Sequence, residues 1–237
     1  MNSFASAMAR KMFSALGLSA VRAHQTYESD RITTFRRRNV DLVIDVGANV
    51  GQYARKLRAG GYDGSIVSVE PLPDAFAQLE RNLGSDPNWR GFNLAAGRES
   101  SKAKLNVSAD SVCSSLLDPS DVLLDAIPTA RIIETVEVDV VRLDDIDLPG
   151  RKNTALKLDV QGFEREALAG AEGLLKSVVA LELELSLKAT YNLGYNLDKA
   201  LPEIVAHGFF IKSIGRGLSD RNSGQLMDVD VLFERNI

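Results

Sequence analysis

The stretch Asp41-Leu-Val-Ile-Asp-Val-Gly-Ala-Asn-Val-Gly-Gln-Tyr53 sets an acid, Asp45, and two glycines, Gly47 and Gly51, between an apolar β-type run and a helix-like segment. A strand, a tight turn and a helix N-terminus in that order cradle nucleotide-like ligands, because the first N–H groups of the helix have no partner inside it. Gly47 and Gly51 are expected to let the backbone turn and approach a ligand with no Cβ in the way. The G-x-G-x-x-G fingerprint of dinucleotide folds is not met, since Ala48, Asn49 and Val50 separate the two glycines. An acid ahead of the first glycine would also face the pyrophosphate of NAD. It suits a cationic or amine-bearing ligand better, and S-adenosylmethionine (SAM) is such a ligand, with a sulfonium and an α-amino group.

Further acids fall where strands should end. Glu70 closes Ile66-Val-Ser-Val, a little over ~20 residues after the first glycine, the usual offset for an acid that takes ribose hydroxyls. Asp159 follows Ala155-Leu-Lys-Leu and shares one strand face with Lys157. A structural Lys157–Asp159 pairing is one reading. The other puts Asp159 beside the reacting groups as base or orienter. Glu182 and Glu184 alternate with leucines, either as the polar face of a strand or as carboxylates toward a substrate, Glu184 being nearer the strand's end. Tyr191, Tyr195, Ser114 and Ser115 are candidate substrate contacts, with plain packing or a plain loop as the alternative. His207, before Gly208, reads as a helix cap.

The elements that must position these residues follow from periodicity. Leu42–Val46, Ser65–Glu70 and Gly91–Ala96 read as strands, with helices over Gln52–Ala59 and Asp74–Asn82 between them. Such a β-α-β-α-β run implies a parallel sheet with helices on both faces. Residues 98–150 break the rhythm and read as a strand-containing insertion near the cleft. Order resumes with a strand at Thr154–Val160, a helical Phe163–Ser177 broken near Gly170 and Gly173, and a strand at Val178–Leu185. A helix near Leu201–Ala206 with Pro202 in its first turn follows, then closing strands at Phe209–Ile214 and Val229–Glu234. Residues 1–38 read as an N-terminal helical cap, Met1 to Val21 as an amphipathic helix within it, and Arg36-Arg37-Arg38 as a solvated face. Residues 39–237 are then the ligand-binding domain.

With 237 residues, 45% of them hydrophobic, the chain can bury one sizeable core. A net charge of −4 gives no global reason to expect nucleic acid. One cysteine and two histidines leave no multi-cysteine or histidine-rich metal site, so no metal is expected. No apolar stretch reaches the ~20 residues of a membrane span. A reduced, cytoplasmic enzyme fits this usage.

The motifs Asp45-Val-Gly-Ala-Asn-Val-Gly-Gln-Tyr53, Val69-Glu-Pro71, Asn93-Leu-Ala-Ala-Gly97, Ser114-Ser-Leu116 and Leu156-Lys-Leu-Asp-Val-Gln-Gly-Phe-Glu164, with Leu168-Ala-Gly-Ala171, resemble FkbM-type SAM-dependent methyltransferases from about Asp41 onward. The Lys157-x-Asp159-x-x-Gly162-x-Glu164 pattern is the more specific part. Gln161 departs from it, standing where a glutamate is common. The resemblance implies a seven-stranded, mostly parallel Rossmann-like sheet of the class I methyltransferase type, and O-methylation of a small-molecule or glycan hydroxyl. It implies SAM contacts from Asp45, Gly47, Ala48, Asn49, Gly51, Gln52, Tyr53, Glu70, Pro71, Ala95 and Asp159. Asp159 and Glu184 are the expected catalytic carboxylates, and Ser114, Ser115, Glu182, Tyr191 and Tyr195 the expected substrate contacts. Two other classes stay open: a nucleotide-dependent oxidoreductase or epimerase, for which Tyr195 and Lys199 supply the Tyr-x-x-x-Lys spacing, and a SAM-binding protein without turnover.

Overall fold

The computed structural model describes residues 26–150, 152–220 and 223–236. Met1 to Val21, read above as an amphipathic helix, lies outside the described residues. The chain runs α1 (Tyr27–Arg37), β1 (Leu42–Val46), α2 (Gln52–Ala59), β2 (Ser65–Val69), α3 (Pro73–Leu83), β3 (Trp89–Phe92), β4 (Ala95–Ala96), β5 (Ser101–Ser108), α4 (Asp121–Ala126), β6 (Ile132–Val141), β7 (Thr154–Leu158), α5 (Glu164–Ala169), β8 (Val178–Ser186), α6 (Leu197–Ala206), β9 (Phe209–Arg216) and β10 (Asp228–Arg235).

Seven described strands form one sheet in the order β3-β2-β1-β7-β8-β10-β9. All neighbours are parallel except β10, which runs antiparallel to β8 and β9. The central strands β1 and β7 are buried throughout, as strands covered on both sides must be. On one face Ile44, Leu156, Leu158, Leu181 and Leu183 pack with α5 and α6; on the other Val43, Ala155 and Ala180 pack with α1, α2 and α3. This is the Rossmann-like, helix-covered sheet that the sequence predicts.

The second face changes character along the strands. At their beginnings it is apolar: Val43, Ala155, Ala180. Two residues on, the same positions become Asp45, Lys157 and Glu182, which stand in register across β1, β7 and β8. Lys157 Nζ lies 3.1 Å from Asp45 Oδ1 and 3.3 Å from Asp159 Oδ2. Arg31 of α1 completes the row, donating from Nε to Glu182 Oε2 at 2.7 Å and from a terminal nitrogen to Oε1 at 2.5 Å. The Tyr53 hydroxyl donates to Glu182 at 3.0 Å, and the Arg31 guanidinium lies over the Tyr53 ring. Buried charges are tolerable only when paired, and here Asp45 faces Lys157 while Glu182 faces Arg31; the Asp45 oxygens have that ion pair and no further hydrogen-bond partner among the described residues.

Several expectations shift. The predicted strand Gly91–Ala96 is two pieces, because the Asn93 side-chain amide turns back to donate to the carbonyls of Glu70 and Pro71. β3 stays in the main sheet, whereas β4 joins a second sheet, β4-β6-β5. β5 and β6 both come from the segment 98–150, so that segment folds as part of a small sheet, whose Leu105, Val138 and Val140 pack against Leu72, Ala75 and Ala95. Pro202 lies inside α6 rather than in its first turn, because the helix begins at Leu197. The arginine run is only partly solvated: Arg37 and Arg38 pair with the buried Glu234, and Arg36 donates to the Gly60 carbonyl.

Arg31 is the tie between α1 and the sheet. Truncating it leaves Glu182 buried with its bidentate partner gone. Arg31→Ala should therefore lower the unfolding free energy by about 3–5 kcal/mol in urea denaturation. A loss below about 1 kcal/mol would show that the other contacts of α1, among them the Arg37 and Arg38 pairs with Glu234, hold it without Arg31.

Candidate active site

The C-terminal ends of β1, β2, β7 and β8 open on a cavity of about 260 Å³. The loop after β1 gives it Gly47, Ala48, Asn49 and Gln52. The end of β2 gives Glu70 and Pro71, the β3–β4 connection Leu94 and Ala95, and the insertion Leu105, Ser114 and Ser115. Asp159, Gln161, Glu182 and Glu184 close the far side. A second cavity of about 180 Å³ shares Val112, Asp159, Gln161 and Glu184 with the first, and continues to Cys113, Leu123, Ile127, Tyr191 and Asp228.

Glu70 is 5% exposed, and its two oxygens accept from the Asn49 N–H at 2.8 Å and the Leu72 N–H at 2.9 Å. A carboxylate oxygen has a second lone pair, so acceptor capacity remains. Burial pushes the Glu70 carboxyl up to about 7, against the pull of those two N–H groups. Asp159 takes Lys157 on one oxygen and Gln161 Nε2 on the other at 2.8 Å. Gln161 Nε2 also donates to Glu184 at 2.6 Å. Burial, then the charge of Asp159, hold the Glu184 carboxyl well above the usual carboxylate range. Burial would lower the Lys157 ammonium, but Asp159 and Asp45 outweigh it and raise it. The loop from Asp159 is fixed by the buried Glu164, whose Oε1 accepts from the N–H groups of Val160 and Gly162.

Both glycines turn the backbone as the sequence suggests, and Gly47 lines the cavity, but each also meets neighbours that a Cβ would strike. Gly47 has φ +75°, and a Cβ there would stand 1.8 Å from the Asp159 carbonyl oxygen. Gly51, at φ +90°, caps α2, and its Cβ would meet the side chains of Leu79 and Leu83 at 2.9 and 3.0 Å. Both are demanded by how the loop packs on its own neighbours, and Gly51 lines neither cavity described above.

The remaining candidates divide. Asp45 is fully buried beneath the loop, is not among the residues lining the cavity, and has Lys157 as its partner. Tyr53 and Glu182 reach the cavity's inner end, but the Tyr53 hydroxyl and both Glu182 oxygens are engaged with each other or with Arg31. Ser114 Oγ accepts from the Ser108 N–H, and Ser115 Oγ donates to the Gln161 carbonyl. Tyr191 lines the second cavity, with its hydroxyl 2.9 Å from Gln161 Oε1. Tyr195 is not brought to either of these cavities: its ring packs in the core and its hydroxyl donates to Glu203 at 2.8 Å. Sequence reasoning missed Arg31, Glu164, Gln161 and Asp228 as parts of the site. Only Glu164 and Gln161 had a signal, since both lie in the Lys157–Glu164 motif.

Among the described residues no group of three or more His, Cys, Asp and Glu side chains is arranged to hold a metal ion, and no helix is long and apolar enough to cross a membrane.

Among solved structures, the chain is similar to precorrin-6y C5,15-methyltransferase from Geobacter metallireducens, 13% identical with a TM-score of 0.48 over 92% of this chain and 93% of that one. It is also similar to magnesium protoporphyrin IX methyltransferase from Synechocystis with bound SAM, 13% identical with a TM-score of 0.46 over 100% of both chains. Methyltransferase 1 of Beauveria bassiana is 26% identical over 145 residues, which are 55% of this chain and 58% of that relative's length. The family model of the methyltransferase FkbM domain matches residues 45–211, from the acid of β1 into β9. The chain belongs to the FkbM methyltransferase family.

Proposed function

We propose that this chain transfers the methyl group of SAM to a hydroxyl of a sugar, glycan or natural product. The observation that carries the reading is one cavity in which Glu70, an apolar wall and the Asp159–Glu184 pair converge. SAM fits those residues: Glu70 keeps acceptor capacity for ribose hydroxyls, Leu72, Ala95 and Leu116 offer an apolar wall to a flat base, and the acidic side complements a cation. Pro71, Ala48, Asn49 and Gln52 would complete that cradle.

When bound, SAM supplies a methyl group already activated by its sulfonium. The chain's own tasks are to align an acceptor hydroxyl and to take its proton. Alignment alone removes much of the barrier. Glu184, with its proton affinity raised by burial and by Asp159, is suited to receive that proton, and Asp159 to orient the hydroxyl or share the role. The second cavity, on the other side of Asp159, Gln161 and Glu184, would hold the acceptor. In this reading residues 39–237 are the methyltransferase domain, the insertion 98–150 bounds the acceptor side, and residues 1–38 form a cap. The acidic lining favours a small molecule or glycan over nucleic acid, and the single buried cysteine suits a reducing compartment such as the cytoplasm. The oxidoreductase reading loses its support with Tyr195 bonded to Glu203.

Calorimetry tests the cofactor. SAM and S-adenosylhomocysteine should bind in the micromolar range and NAD should not. Glu70→Ala should cost about 1.5–3 kcal/mol of that affinity. Because Glu70 titrates near 7, binding to the wild type should weaken as pH falls from 8 to 6 and its carboxylate takes a proton. Tight NAD binding without SAM binding, or unchanged affinity in the folded Glu70 variant, would overturn the assignment.

Turnover tests the carboxylates. Asp159→Asn should lower kcat by about 10²–10⁴-fold while SAM affinity changes little. EDTA should leave the rate unchanged, since Asp159 is engaged with Lys157 and Gln161, and Glu184 with Gln161. A near-normal kcat would leave Asp159 as a structural partner of Lys157, and EDTA-sensitive, Mg²⁺-restored turnover would recast it as a ligand.

A further inference from the structure

We propose that Gln161 is a positioning residue: its side-chain amide sets the mutual placement of the Asp159 and Glu184 carboxylates in the wall between the two cavities. The consequence for methyl transfer rests on the function proposed above; the geometry does not.

An amide nitrogen carries two N–H donors. At Gln161 both are spent on carboxylates, Asp159 Oδ1 at 2.8 Å and Glu184 Oε2 at 2.6 Å. The other end, Oε1, lies 2.9 Å from the Tyr191 hydroxyl, which is also 2.9 Å from the Cys113 carbonyl. A hydroxyl on one side and two carboxylates on the other leave one sensible orientation of the amide. The backbone is gripped too, since the Gln161 carbonyl accepts from Ser115 Oγ at 2.8 Å. Ser115 and Cys113 belong to the insertion, so the insertion holds the Gln161 main chain directly and reaches its side chain only through Tyr191. The conformation held is unfavourable, because Gln161 has φ +55° and a side chain longer than those that visit this region readily. Such strain persists only where the surroundings over-determine it.

The chemistry explains why the donor is neutral. Asp159 and Glu184 repel each other when both are charged. A cation between them would relieve this, but it would also strip Glu184 of its proton affinity. An amide bonds to both without placing a charge between them. The other groups acting on Glu184 are Asp228 and Asp230 from β10 and Glu164 from the loop below, all acids. The nearby cation, Lys157, is engaged with Asp45 and Asp159. Among these groups the Gln161 N–H is what favours the charged form of Glu184.

Gln161→Met keeps the length of the side chain and removes both donors. The readout is a ¹³C NMR titration of the Glu184 side-chain carboxyl in the full chain, which needs neither cofactor nor acceptor. The Glu184 carboxyl should titrate about one unit higher or more in the variant. Tyr191→Phe should move it the same way by less. An unchanged Glu184 titration in Gln161→Met, or in Tyr191→Phe should the first variant not fold, would overturn the proposal. If the wild type bound neither SAM nor S-adenosylhomocysteine, the methyl-transfer reading would fail while the titration still decided the role of Gln161.

Discussion

Lys157 stands in the middle of a sheet, buried, with Asp45 on one side and Asp159 on the other. Everything at the cleft hangs from that arrangement. Burial raises the Asp45 carboxyl and the ammonium opposes that rise, while Asp159 and Asp45 together outweigh the burial of the ammonium. The backbone of the Asp45–Gly51 loop passes against the Asp159 carbonyl at Gly47, so the charge bridge and the tight loop fix the same few ångströms of structure from two directions. Arg31, Glu182 and Tyr53 extend the row toward α1 and turn a helix outside the core motif into part of its support.

The row also gives the sheet its polarity. Each central strand is dry where it enters and charged where it leaves, within two residues: Val43 to Asp45, Ala155 to Lys157, Ala180 to Glu182 and then Glu184. The fold thereby places its buried charges at the C-terminal ends of the strands, where an open α/β sheet forms its crevice. The part nearest the loop is neutralised by Lys157 and Arg31. The part nearest the insertion, Glu184 and Asp228, is not, and burial pushes Asp228 up to about 6. That asymmetry separates a braced inner end from an acidic, proton-accepting outer one.

Much of this was legible in the residues. Apolar runs with acids at their ends located β1, β2, β7 and β8, and glycine pairs located the turns. Asp159, Glu184 and Glu70 were picked out by type and strand position alone, and all three stand in one cavity wall. What escaped is what depends on distant partners. Asp45 looked like a ligand contact because nothing in β1 shows that Lys157, more than a hundred residues later, will sit beside it in register. Tyr195 looked available because Glu203 is nearly two turns into the following helix, and only the packing of α6 brings the two together. Gly51 looked like a ligand glycine because leucines of α3 that press on it are remote in sequence. The break in the predicted third strand came from a single amide, Asn93, reaching back to two carbonyls, a side-chain contact that periodicity does not register.

Burial raises the Asp45 carboxyl and the Lys157 ammonium pulls it back; that the bridge offsets burial beneath the loop is tested most directly by the pH dependence of stability in Lys157→Met. Without the ammonium, the folded-state titration of Asp45 moves up further while its unfolded one does not. In that window the folded variant binds a proton that the unfolded chain has lost, and its stability falls as pH rises. Urea denaturation from pH 5 to pH 8 should therefore show a stability gap between wild type and Lys157→Met that widens steadily with pH. A gap that stays constant across that range would contradict the account, because it would mean that Lys157 contributes packing and not a charge that offsets the burial of Asp45.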